Sequence, residues 1–120
     1  MKTLRLALPT KGDRGMKDVV SDVFARAATF TFIDVVDGEI KEVKAEENKA
    51  SSLKQGTGPI VAKYLTEKGV DVVVAGELGP GAKTLLEISG IRMVRVAPGV
   101  KVKEAVTEAI KQLLQPTEQL

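Results

Sequence analysis

Residues Val72–Leu86 read VVVAGELGPGAKTLL, and the parsing of this stretch decides the fold. Val72–Ala75 is a short continuous apolar run, the pattern of a parallel strand buried on both faces. Gly76 and then Gly79-Pro80-Gly81 punctuate it. Ala82, Leu85, Leu86 and Ser89 follow at helical spacing and mark an inner face, and Gly90 closes the helix. The stretch is therefore a strand, a tight turn and a short helix. It also nearly spells a phosphate-binding loop, G-x-x-x-x-G-K-[ST], with Gly76 and Gly81 correctly spaced. Ala82, however, separates Gly81 from Lys83-Thr84. One extra residue at a helix start rotates the lysine by about 100°, so Lys83 is expected to point away from the turn. Pro80 removes one N–H that would cradle an anion. A Walker-type nucleotide site is not expected. Gly76, Gly79 and Gly81 remain of interest, because free N–H groups at a helix start attract anions of other kinds.

Outward from this unit the chain alternates between strand and helix patterns. Thr3 to Leu8 reads as a strand ended by Pro9, and Thr10 to Asp18 as a polar loop. The segment VVSDVFARAA, from Val19 to Ala28, is ambiguous and compatible with a short helix. Thr29 to Val36 is a strand, Asp37-Gly38 a hairpin signal, and Glu39 to Glu47 an exposed edge strand of alternating apolar and charged residues. Asn48 to Pro59 is the longest loop. Ile60, Val61, Tyr64 and Leu65 mark a helix closed by Gly69. IRMVRVA, from Ile91 to Ala97, is the last strand, and Val102 to Leu114 an amphipathic helix stopped by Pro116.

The order β-β-β-α-β-α-β-α predicts an α/β fold. It would be a five-stranded mixed sheet, a parallel core with one antiparallel strand and helices on both faces. One domain is expected over residues 1–115, with 116–120 as a frayed tail. In such sheets ligands favour the carboxyl ends of the parallel strands. The loops at Pro9–Gly15, Gly76–Gly81 and Ala97–Val100 should gather there.

Composition narrows the chemistry. The 120 residues carry 43% hydrophobic and 28% charged residues and a net charge of +2. The charges are interspersed, against a basic nucleic-acid stripe, and three Phe, one Tyr and no Trp leave little for base stacking. No apolar run reaches the length of a membrane span, and the amino-terminal segment lacks a signal-peptide core, so a cytoplasmic protein is expected. Cysteine and histidine are both absent. That removes disulfides, thiolate and Ser-His catalysis, and zinc sites built on those ligands.

The element order also suits a ribonuclease H-like architecture. Nucleases of that kind hold two magnesium ions with clustered carboxylates, the first on strand one. Here that strand is Thr3-Leu4-Arg5-Leu6-Ala7-Leu8, without an acid, and Glu77 alone cannot hold a metal pair. Lys11 and Arg14 in the first loop and Arg26 in FARAA are the basic residues of interest. Three cations and a glycine turn around one cleft would suit an anionic ligand.

At VSDVFARAATF, VDVVVAGELGPGA and SGIRMVRVAPGVKVKEAV the sequence resembles the dinitrogenase iron–molybdenum cofactor biosynthesis family, of the NifX and NifB C-terminal-domain type. The resemblance runs from Leu4 to about Leu114. It implies the ribonuclease H-like fold and a carrier or assembly accessory, not an enzyme, that binds a metal-cluster cofactor or precursor. The iron–molybdenum cofactor, or another molybdenum or iron–sulfur cluster, is the implied ligand. Cofactor-assembly proteins are the implied partners, in a nitrogen-fixation setting; neither nucleic acid nor membrane is implied. The family motif His-Phe-Gly-Arg-Ala stands here as Val23-Phe24-Ala25-Arg26-Ala27, so the family histidine is Val23. A glycine-rich segment is kept as Gln55-Gly56-Thr57-Gly58. The expected cofactor-binding set joins Lys11, Gly12 and Arg14, taken from their place in the first loop, to Phe24, Arg26, Gly56, Gly58, Gly76, Glu77, Gly79, Pro80 and Gly81 in the segments that resemble the family, with no catalytic residue and no metal ligand. With no cysteine or histidine ligand, a cluster would be held as an anion by charge and N–H groups. Two other readings stay open: a regulatory or interaction module that kept the fold and lost the ligand, and an organic-anion or nucleotide binder.

Overall fold

The computed structural model describes residues 3–53 and 55–114. Strands β1 (Thr3–Thr10), β2 (Thr29–Val36) and β3 (Glu39–Glu47) come first. Helix α1 (Thr57–Glu67), strand β4 (Val72–Ala75), helix α2 (Pro80–Ile88), strand β5 (Arg92–Arg95) and helix α3 (Val102–Leu114) follow. The sheet order is β3-β2-β1-β4-β5. β1, β4 and β5 run parallel, and β2 lies antiparallel between β1 and β3. The expected five-stranded mixed sheet is thus present, with β2 as its one reversed strand.

Alternation along the strands sorts the core into two layers. Ala7, Phe30, Phe32, Val73 and Ala75 pack with Val61, Leu65 and Leu86 of α1 and α2. Leu6, Leu8, Ile33, Val35, Val72 and Val74 pack with Val102, Val106 and Ala109 of α3. β4 is buried along its whole length, as its unbroken apolar sequence requires of a strand covered on both faces.

Each βα unit is joined by the same device. After α1, the N–H of Val70 donates to Leu65 O at 3.1 Å and that of Gly69 to Thr66 O at 3.1 Å. After α2, Ile91 donates to Leu86 O at 2.9 Å and Gly90 to Glu87 O at 3.0 Å. These are Schellman caps. They put Gly69 at φ 73° and Gly90 at φ 80°, a region open to glycine without penalty.

The fold departs from the sequence reading in five places. Pro9 does not end β1, which continues to Thr10. β4 pairs with β1 only at Leu6 and Ala7, so on that side no ladder needs an N–H from Pro9. The segment Val19–Ala28 is not a helix. Its start is paired through bridges from Val20 to Thr10 and from Val19 to Lys101, and Phe24–Ala27 form a turn closed by Ala27 N–H donating to Phe24 O at 3.1 Å. The long loop is shorter than expected: Lys49–Ser52 form a 3-10 turn and α1 starts at Thr57, three residues before Ile60. The last strand spans only Arg92–Arg95. Ser89 caps α2 and is exposed, outside the inner face assigned to it. The proposed tail, 116–120, lies outside the described residues.

Candidate functional site

β1, β4 and β5 end at Thr10, Ala75 and Arg95, at one edge of the sheet. The segments that follow are sewn together there. Val20 N–H donates to Val100 O at 2.8 Å, Gly99 N–H to Val20 O at 2.9 Å, and Ser21 N–H to Pro9 O at 2.8 Å. Val96 N–H donates to Ala75 O at 2.9 Å. A β-carbon on Gly76 would lie 3.4 Å from the Pro98 ring, so this glycine lets the β4 turn close against residues 96–98.

The first loop is organised around Asp18, which is 1% exposed. Its carboxylate accepts from the backbone N–H of Gly12 (3.2 Å), Arg14 (3.0 Å) and Val19 (2.8 Å). The Arg14 Nε lies 3.7 Å from the same group. Burial pushes this carboxyl's pKa up, but the three N–H bonds and the Arg14 charge outweigh it and hold the pKa below the usual carboxylate value. The backbone at Gly12, read from sequence as open to a ligand, and at Arg14, read as a source of charge, therefore already donates its N–H groups to an internal anion. The Lys11 side chain is exposed.

Phe24 is a core residue, 5% exposed, with its ring edge-on to Phe30 at 5.5 Å between centroids. Two residues on, the exposed Arg26 donates to Leu53 O, on the segment leading into α1. Asn48 fixes this turn by donating to Ala25 O at 2.9 Å and Ala27 O at 2.8 Å.

Gly56 and Gly79 are the N-caps of α1 and α2, and neither helix has a side-chain cap or an acid in its first turn. Pro80 and Gly81 open α2. The two first turns touch: a β-carbon on Gly58 would sit 3.7 Å from both N and Cβ of Ala82. Two positive dipole ends, rich in residues without bulky side chains, thus converge beside the Arg26 segment.

On the far side of α2 lies a cavity of about 330 Å³, whose lining includes Gly76, Glu77, Leu78, Lys83, Met93 and Arg95. A second, of about 360 Å³, shares Gly76, Glu77 and Arg95 and continues along Val96–Pro98. Sequence reasoning did not single out Met93 and Arg95, and it expected Lys83 only to point away from the glycine turn. The rotation argument for Lys83 took the glycine turn as its reference and left β5 out, whereas Lys83 shares the lining of this cavity with Met93 and Arg95 of β5. Period-two alternation along β5 was the available signal, since it puts Met93 and Arg95 on one face.

The donor chemistry limits what this edge can hold. The chain contains no cysteine and no histidine. Among the described residues, no group of three or more Asp and Glu is placed to hold a metal ion. A cluster that demands thiolate or imidazole ligands does not fit. An anion held by cations and backbone N–H groups does.

The model of the family described as dinitrogenase iron-molybdenum cofactor matches residues 2–112. An uncharacterised protein of Methanocaldococcus jannaschii is 29% identical over 91 residues, 76% of this chain and 73% of that protein. The apo form of the orange protein from Desulfovibrio gigas superposes with a TM-score of 0.82 at 26% identity, over 95% of this chain and 92% of that one. A Thermotoga protein described as a candidate NifB protein superposes with a TM-score of 0.71 at 32% identity, over 98% and 99% of the two chains.

Proposed function

The chain belongs to the dinitrogenase iron-molybdenum cofactor family, and on that premise we propose that it is a non-enzymatic carrier of an anionic metal–sulfur cluster or its precursor. The cluster is cargo, taken up and passed to assembly partners. The observation that carries this reading is the meeting of two uncapped helix starts, at Gly58 and Ala82, on the ligand-favoured side of the sheet. Gly56, Gly58, Gly79 and Gly81 allow close backbone approach. Arg26 adds charge from the side, and Lys11 and Arg14 add it from the first loop. Gly76, Glu77 and Pro80 shape the turn, and Phe24 anchors the segment that presents Arg26. No step of this requires a protein ligand to metal.

The test is direct. Purified protein is incubated with tetrathiomolybdate and passed through gel filtration. The chromophore is expected to co-elute with the wild type and to be largely lost from Arg26→Ala. A colourless wild-type peak, or equal retention by the variant, removes the reading.

One observation favours a second reading, a module that kept the fold and lost the ligand: Asp18 already occupies the N–H groups of the first loop. Capture of an assembly protein by a chain that takes up no tetrathiomolybdate would support it.

A further inference from the structure

The carrier reading leaves open how a cleft without cysteine or histidine tells a sulfide-rich anion from the oxyanions that outnumber it. The cavity between α2 and β5 offers a means. Its cations are Lys83, from the first turns of α2, and Arg95, the last residue of β5. Both are exposed, as is Glu77, which shares the lining. The lining also includes apolar residues: Val73 and Ala75 are buried, and Leu78 and Met93 half-buried. Of the two methionines among the described residues, Met93 lines this cavity.

We infer that this cavity selects thio-anions over oxyanions, with Lys83 and Arg95 supplying charge and the Met93 thioether and its apolar neighbours supplying the discrimination. The inference rests on the carrier reading and assigns its selectivity to residues that reading does not use. The physics is a balance of desolvation against contact. A small oxyanion concentrates charge on oxygens and loses strong hydration when pressed against Leu78 and Met93, which return no hydrogen bond. A sulfide-rich anion of equal charge is larger, more polarisable and less tightly hydrated. It loses less water and gains dispersion contact with aliphatic carbon and with a soft thioether sulfur. Two cations against one carboxylate leave the rim net positive, so either anion is drawn in, and the lining decides which stays. Gly76 carries no side chain, and its backbone borders this cavity and the second one. An anion extended beyond one metal centre therefore has room to continue along Val96–Pro98.

The experiment is equilibrium dialysis of the full chain against tetrathiomolybdate and, separately, molybdate, with molybdenum counted by elemental analysis. Wild type, Met93→Leu, Lys83→Gln and Arg95→Gln are compared, each checked for an unchanged thermal melt. Met93→Leu keeps volume and apolarity, so the fold is expected to survive. Wild type is expected to retain tetrathiomolybdate at least tenfold better than molybdate. Arg95→Gln and Lys83→Gln should each weaken retention, by about tenfold for the arginine, whose charge-assisted hydrogen bonds are the stronger. Met93→Leu should narrow the thio-over-oxo preference by a few-fold with little change in molybdate. If the wild type retains tetrathiomolybdate and all three variants match it, the inference is overturned and the carrier reading stands. Equal retention of the two anions by the wild type also overturns it. If the wild type retains neither, both fall together.

Discussion

Gly12 and Asp18 are locked together: the glycine N–H donates to the Asp18 carboxylate at 3.2 Å, and a β-carbon on Gly12 would lie 2.9 Å from Asp18 Oδ2. That oxygen has little freedom to retreat, because it also accepts from Arg14 N–H at 3.0 Å. Gly12→Ala is therefore expected to destabilise the protein by about 1–3 kcal/mol in urea unfolding, the usual range for forcing atoms into a filled site. Gly81→Ala is the control. Its added carbon meets nothing within 4 Å, and it should be neutral or slightly stabilising. Equal losses in the two variants would contradict the account of the first loop.

Acid should weaken the fold through two carboxylates. Glu46 accepts from Lys68 Nζ at 2.8 Å and from the Tyr64 hydroxyl. The Lys68 bond first, then the Tyr64 bond, bring its pKa down to about 2. The same contact acts on the tyrosine: burial first, then Glu46, raise the Tyr64 pKa above its ordinary value. A folded-state pKa below the unfolded value means that the unfolded chain binds more protons. The stability from Glu46 is thus fully present above the ordinary carboxylate range and is lost as pH falls through about 2. Asp18, also lowered, acts in the same direction. Urea midpoints are expected to fall between about pH 5 and pH 2, and Glu46→Gln should flatten part of that slope. An unchanged slope in the variant would count against the assignment.

The β2–β3 connection is a two-residue hairpin with Asp37 at φ 51° and Gly38 at φ 85°. Both signs are positive, as a type I′ turn requires. Gly38→Ala is expected to cost about 1–2 kcal/mol, because a β-carbon at positive φ crowds the neighbouring carbonyl. Thermal unfolding measures it, and a melt equal to wild type would contradict the turn assignment.

Sequence carried the sheet further than it carried the site, and the reasons are local. The VVVA run of β4, the Asp37-Gly38 hairpin and the α3 stripe each have a period or a turn residue that works over a few neighbours. Val19–Ala28 has neither. Its course is set by pairing of Val19 and Val20 with Lys101 and Thr10 and by Asn48 bonding Ala25 O and Ala27 O, partners outside the segment. Pro9 misled in the same way, since whether a strand tolerates proline depends on the neighbour it lacks an N–H for. At the candidate site, glycines and Arg26 were visible because they sit in distinctive motifs. Asp18 was not, because a buried carboxylate inside TKGDRGMKD looks like any solvated acid until the loop closes on it. Met93, Lys83 and Arg95 lie on two elements that only tertiary packing brings around one cavity.

The most direct measurement is calorimetric titration of the chain with tetrathiomolybdate at about 0.1 M and about 1 M salt, where the screening length drops from about 10 Å to about 3 Å. An anion held by Lys, Arg and backbone N–H groups should bind at low salt and weaken by about tenfold or more at high salt, since charge supplies the affinity. No heat at low salt, or an affinity unchanged between the two conditions, would contradict a charge-held cargo.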